Sequence, residues 1–168
     1  LTKIISHMKK AQLNISVEGD ISNFLGVNID WKTNGSIHLT QPQLNSHILQ
    51  DLQLHHPTMA TKDKLAKANQ LLWCLQEEED FDNHFDYHSI MGKLNYLEKS
   101  THPDVSFAVH QCARFMANPK KEHSKAINWL GRYLLTTCHQ GLIYRPTTKG
   151  VDCYMDADFS GNWDKCFS

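Results

Sequence analysis

Leu25, Val27, Ile29 and Trp31 alternate with Gly26, Asn28 and Asp30, and a period of two predicts a strand with one buried face. Asn34-Gly35 follows. That pair predicts a tight hairpin turn with positive φ at both central residues, after which Ile37 and Leu39 resume the alternation. Thr40, with Pro42 in the first turn and Gln43 three residues on, reads as a capping box opening a helix. Leu44, Ile48 and Leu52 lie on one face of it, and His55-His56-Pro57 is the expected stop.

Residues 58–85 carry a weaker pattern. Leu65, Ala68, Leu72 and Leu75 fit a helical face, while Glu77-Glu78-Glu79-Asp80 reads as a solvated connection. Three clearer helices come next. Ile90, Met91, Leu94 and Leu97 define the first; Thr101 and Asp104, around Pro103, form a capping box for the second, with Val105, Ala108, Cys112 and Met116 on its apolar side. Asn118 as cap and Pro119 at the first helical position predict the start of the third.

That third helix is divided most sharply. Lys121, Lys125, Asn128 and Arg132 fall on a narrow polar stripe, and Ala126, Ile127, Leu130 and Leu134 cluster on the far side. Three cations spread over about 16 Å of helix axis match a phosphate backbone. The same pattern is also what an ordinary surface helix shows. Beyond it, Gly141-Leu142-Ile143-Tyr144-Arg145 reads as a short strand, and a turn through Pro146 to Gly150 leads to another. In that last strand Val151, Cys153, Met155 and Ala157 alternate with Asp152, Tyr154, Asp156 and Asp158. Three carboxylates on one face either discourage edge pairing or hold a divalent cation, with hard oxygen ligands favouring Mg²⁺.

Composition changes the picture in three places. The chain has 168 residues, 40% of them apolar, enough for a buried core. No stretch approaches a membrane span or a signal pattern, so no membrane partner is expected. Cys74, Cys112, Cys138, Cys153 and Cys166 are an odd, widely spaced set, which predicts reduced thiols and an intracellular compartment rather than a disulfide framework. The histidines lack zinc-finger spacing. Net charge is only −1, but residues 101–150 hold seven basic and two acidic groups between stretches of net −3 on either side. This asymmetry can mark an electrostatic footprint that the total conceals.

Phe24-Leu25-Gly26-Val27 with Leu39-Thr40-Gln41 resembles the last palm hairpin and the start of the thumb in copia-type retrotransposon reverse transcriptases. Tyr87 through Leu97, Thr101-His102-Pro103-Asp104-Val105, Ala108-Val109, Arg114-Phe115-Met116, Pro119 with His123, Arg132-Tyr133-Leu134 and Gly141 through Tyr144 resemble that family's thumb and connection, in order. Asp156-Ala157-Asp158-Phe159-Ser160-Gly161 resembles its Asp-Ala-Asp-Trp-Ala-Gly signature at the first RNase H strand. The resemblance leaves out residues 54–85. His102 stands where the family usually has Arg, Phe159 and Ser160 replace Trp and Ala, and Leu135-Thr136 replaces a common Lys-Gly.

The resemblance implies an α+β chain with a palm-end hairpin over residues 1–40. A helical thumb and connection would span 41–140, with 58–85 as a linker, and an incomplete RNase H-like sheet would span 141–168. It implies a parent that copies RNA into DNA and degrades the hybrid's RNA, both with Mg²⁺. Asp156 would be the first nuclease carboxylate and metal ligand, with Asp158 beside it. The other carboxylates would lie beyond Ser168, and the polymerase's Tyr-x-Asp-Asp turn, absent here, would lie before Leu1. The chain alone is therefore expected to be inactive. Its expected partners are an RNA/DNA hybrid or primer-template duplex and the remainder of the Pol polyprotein. Lys121, Lys125 and Arg132 would touch phosphates, with Arg114, Lys120, His123 and Asn128 nearby. Two other readings stay open: a metal nuclease centred on Asp152, Asp156 and Asp158, and a non-catalytic structural or interaction domain.

Overall fold

The computed structural model describes residues 2–15, 21–54, 61–65, 72 and 79–147. Its sheet is an antiparallel meander in which β1 (Asn23–Phe24), β2 (Val27–Trp31), β3 (Ile37–Thr40) and β4 (Leu142–Tyr144) pair in the order of the chain. The helices are α1 (Thr2–Lys10), α2 (Pro42–Asp51), α3 (Tyr87–Ser100), α4 (Ser106–Ala113) and α5 (Lys121–Thr137). A short 3-10 turn, Pro103–Val105, precedes α4.

Both hairpin turns depart from the expected arrangement. Leu25 and Gly26, expected within a strand, form the two-residue turn between β1 and β2, with φ of 51° and 78°. That is the doubly left-handed geometry expected at Asn34-Gly35. Leucine is unfavourable there because its Cβ crowds the following carbonyl. Tyr96 of α3 holds the turn by donating its hydroxyl to the Leu25 carbonyl at 2.6 Å. At the second turn only Gly35 is left-handed, at φ 80°. Gly35 N–H donates to Lys32 O and Lys32 N–H to Ser36 O, both at 2.9 Å. This is a three-residue loop ending in a glycine bulge, and the Asn34 side chain accepts from Ser36 N–H at 3.0 Å.

Register makes the sheet amphipathic. Trp31 faces Ile37, which faces Tyr144; Ile29 faces Leu39, which faces Leu142; Phe24 faces Val27. These eight apolar residues share one side, while Asn23, Asn28, Asp30, His38 and Thr40 share the other with Ile143. β4, expected to open a separate RNase H-like sheet, is instead hydrogen-bonded to β3 as the fourth strand of the hairpin's own sheet. The approach is close at Gly141, where a Cβ would stand 2.0 Å from the Leu39 carbonyl oxygen.

The core is helical. Ile90, Met91, Leu94 and Leu97 of α3, Val105 and Val109, Ile127 and Leu134 of α5, and Ile48 of α2 are fully buried, and Leu52 and Leu130 nearly so. All of these except Val109 are residues that the apolar spacing selects, and Leu44, Ala108, Met116 and Ala126 pack half-buried against them. The helix ends differ from those expected. Thr40 belongs to β3; the cap of α2 is Gln41, and Pro42 takes the first helical position. Here the Thr101 hydroxyl donates to the Gln41 side chain at 2.9 Å, so Thr101 closes α3 and does not cap the next helix with Asp104. α2 ends before His55: Gln53 adopts φ 56°, with Gln53 N–H on Gln50 O and Leu54 N–H on Leu49 O. This pair of hydrogen bonds is a Schellman motif, and Leu49 and Leu54, at its two apolar positions, are both buried.

α5 begins at Lys121 rather than at Pro119 because Lys120 is extended and pairs with Asp80 in an antiparallel bridge. Glu79 and Asp80 are thus bound to the start of α5 and are not a free connection. Leu65, expected on a helix, lies in a bend, and the rest of that expected face is outside the described residues apart from Leu72.

Gly141→Ala is predicted to cost about 3 kcal/mol, since two backbones would have to part. Gly131→Ala meets only the Leu52 and Leu54 methyl ends, and Ala favours helix over Gly, so a loss of about 1 kcal/mol is expected. Urea unfolding of both variants measures the difference. Burial pushes the Cys112 thiol up to about 12, so Cys112 should resist alkylation at pH 8 until the chain unfolds, while half-buried Cys138 labels in the native state. Peptide mapping by mass spectrometry distinguishes the two.

Candidate nucleic-acid interface

α5 is positioned from its apolar side. Ile127, Leu130 and Leu134 are buried among α2, α3 and α4, and Gly131 admits Leu52 and Leu54 against the helix backbone. The opposite side is therefore fixed outward. It carries Lys121 and Lys125, both exposed, then half-buried Asn128 and Arg132. The row expected from the sequence exists as a row.

The surroundings of that row were not foreseen. Lys121 forms an ion pair with Glu79, Lys120 with Asp80, and Lys125 with Glu122 one turn along. The hydrogen bond from Lys121, followed by its charge, holds the Glu79 carboxyl below the usual range, and the same contact raises Lys121. Asn128 donates to the Ser124 carbonyl at 3.2 Å. Arg132 Nε is buried with no hydrogen-bond partner among the described residues.

Residues 61–65 lie along the other end of the same face. Lys62 N–H donates to the Arg132 carbonyl at 3.2 Å, the Thr136 hydroxyl to Lys62 O at 3.2 Å, and Trp129 Nε1 to Lys64 O at 2.9 Å. The Lys62 ammonium sits 4.2 Å above the Trp129 ring. Lys62, Lys64 and Trp129 therefore join the candidate surface. Sequence spacing could not find Lys62 and Lys64, since they come from the weakly patterned segment, and Trp129 of α5 joins them only through contacts with that segment.

His123 and Arg114 are placed differently. His123 is buried, its ring stacked on Phe115 with centroids 3.9 Å apart, and its Nδ1 accepts from Lys120 N–H at 3.0 Å. The Arg114 guanidinium lies 5.6 Å from the centroid of the same phenyl ring, and Arg114 donates to Gln111 at 3.1 Å. These contacts secure the turn between α4 and α5. Asp152, Asp156 and Asp158 lie outside the described residues, and among the described residues no three His, Cys, Asp or Glu side chains gather as a metal site. No described helix is long and apolar enough to cross a membrane.

No protein-family model matches the chain, and no solved structure matches it. Curated proteins do. It is 38% identical over 78 residues, 46% of its length, to the retrovirus-related Pol polyprotein from transposon TNT 1-94 of Nicotiana tabacum. It is 38% identical over 80 residues, 47% of its length, to that from transposon RE1 of Arabidopsis thaliana. To that from transposon RE2 of the same plant it is 27% identical over 172 aligned residues, which cover 97% of the chain. The chain spans 6%, 5% and 11% of these three relatives. It is related to transposon Pol polyproteins and corresponds to a small part of them.

His123→Ala is predicted to cost about 2 kcal/mol, since it removes both the stacking on Phe115 and the bond at the helix start. Thermal unfolding checks this; an unchanged midpoint would remove the structural account of His123.

Proposed function

We propose that this chain is the thumb and connection region of a copia-type retrotransposon reverse transcriptase with RNase H, and that it grips the primer-template or RNA/DNA hybrid through α5. The carrying observation is the row of exposed Lys121 and Lys125 with half-buried Arg132, fixed by burial of the opposite face in a chain related to transposon Pol polyproteins. Phosphates repeat along a duplex regardless of base, so a row of cations on a rigid helix reads backbone and not sequence. Lys120 and Asn128 stand beside the row, and Trp129 with Lys62 extends it. Arg114 and His123 serve it by setting where α5 begins.

In this reading the parent enzyme uses Mg²⁺ to activate oxygen nucleophiles. Asp156 would be its first RNase H ligand with Asp158 adjacent, and the remainder of the Pol polyprotein would be a partner. The described donor set does not make a metal site, so the grip is derived from cations alone. A second reading, an interaction module without catalysis, is favoured by the apolar face of the sheet: Phe24 and Trp31 are each 61% exposed and Tyr144 54%.

The test is fluorescence anisotropy of a labelled RNA/DNA hybrid across a salt series. Lys121→Ala/Lys125→Ala/Arg132→Ala is expected to weaken binding about tenfold or more at low salt and to flatten the slope of log affinity against log salt by up to about 3, near 0.9 for each phosphate no longer neutralised. Equal affinity and slope in the triple variant and the wild type would overturn the grip.

A further inference from the structure

The segment joining α2 to α3 meets α5 at both ends of its polar face. Lys62 is bonded to the Arg132 carbonyl and to Thr136 near the C-terminal end. Glu79 and Asp80 are bonded at the N-terminal end, where Lys121 N–H donates to Glu79 O at 3.0 Å and Asp80 bridges Lys120. The backbone thus fixes two carboxylates beside two of the cations that would meet phosphate. Their charges are spent on Lys121 and Lys120.

We infer that Glu79 and Asp80 are a built-in counter-charge that occupies Lys121 and Lys120 in the free protein and must be displaced when a duplex phosphate binds, an autoinhibitory contact within the grip. This rests on the reading of α5 as a phosphate-binding helix. The geometry suits an exchangeable contact. Both carboxylates are largely exposed, at 75% and 84%, and Lys121 is 54% exposed, whereas Lys120 is 13% exposed, so Lys121–Glu79 is the more readily exchanged pair. Solvent-exposed ion pairs add little to stability, so a phosphate can replace the carboxylate. The acids are anchored by their backbones, while the exposed Lys121 reaches Glu79 through a flexible stem and can swing to a new anion, leaving the acid in place. Exchange also alters the ion count. A lysine that leaves a carboxylate for a phosphate releases a cation from the duplex but leaves a carboxylate to recruit one. The wild-type protein should therefore show a shallower salt dependence than its number of cations implies.

Glu79→Gln/Asp80→Asn removes the counter-charge and keeps the backbone bonds. Anisotropy with a short RNA/DNA hybrid is expected to show binding tightened about three- to tenfold at low salt, a slope steeper by up to about 2, and convergence with wild type at high salt. Asp51→Asn, which breaks the comparable surface pair with Lys93 of α3, raises net charge by one where the double variant raises it by two, without touching the pairs on α5, and should leave affinity unchanged. The inference is overturned if the double variant binds as wild type does while the triple lysine–arginine variant binds less. It is equally overturned if Asp51→Asn tightens binding as much, or if the double variant only lowers the unfolding midpoint, the mark of acids that serve the start of the helix alone. If the triple variant itself binds as wild type, the underlying reading of α5 fails instead.

Discussion

Burial of one side of α5 is the constraint on which the arrangement depends. Ile127, Leu130 and Leu134 have almost no exposed surface, and each such side chain contributes roughly 1.5–3 kcal/mol relative to exposure. Rotating the helix by one residue, about 100°, would give up most of that. Lys121, Lys125 and Arg132 thus face outward as a consequence of what packs inward. Gly131 tightens the lock: with no side chain it lets Leu52 and Leu54 reach the helix backbone. The same contact ties the Schellman turn at Gln53 to α5, so the end of α2 and the middle of α5 are set together.

A second junction joins the sheet to this helical body, and it is polar. Gln41 and Asn45, both fully buried, lie at the start of α2 directly after β3. Thr101 donates to Gln41, and Asn45 donates to the Cys138 carbonyl at 3.2 Å, beyond the end of α5. His102 lies 3.5 Å from Asn45 and 3.4 Å from Asp104, which accepts from the Tyr133 hydroxyl at 2.8 Å. The sheet contributes nothing to the buried apolar cluster. Directional bonds through Gln41 and Asn45, together with Tyr96 on the Leu25 carbonyl, hold it where apolar packing does not. Such bonds contribute little net energy but restrict the geometry, and they satisfy only half of each amide: Gln41 Nε2 and Asn45 Oδ1 are buried without a hydrogen-bond partner among the described residues.

The parts legible in the sequence were those governed by periodicity. The apolar faces of α2, α3, α4 and α5 and the strands on either side of Asn34-Gly35 follow from spacings of 3.6 and 2, and burial enforces such spacings directly. What escaped was decided by contacts between distant segments. Thr40, Thr101 and Asn118 all look like caps, yet Thr40 is needed by a strand, Thr101 by Gln41, and the stretch around Asn118 by a bridge to Asp80. Local capping chemistry lost to tertiary pairing each time. The Leu25-Gly26 turn escaped because leucine is a poor left-handed residue, and only a hydroxyl from α3 makes it serve. The row on α5 could be read from the sequence, but its counter-charges could not, since Glu79 stands 42 residues from Lys121.

The two roles of charge on α5 can be separated by magnitude. As contributors to stability, exposed pairs such as Lys121 with Glu79 are close to negligible, because water screens them and two long side chains must be ordered to form them. As determinants of binding, the same charges act on a partner that carries one negative charge per ~1.7 Å of duplex, where each phosphate neutralised or freed changes the number of ions released. A carboxylate placed beside a lysine can therefore leave the fold almost untouched and still set how strongly the helix attracts a polyanion. Residues 101–150, net +5, look strongly basic in isolation, but part of the excess is cancelled across the fold by the acidic stretch before them. The charge that a duplex meets is set by which segments the fold brings against α5.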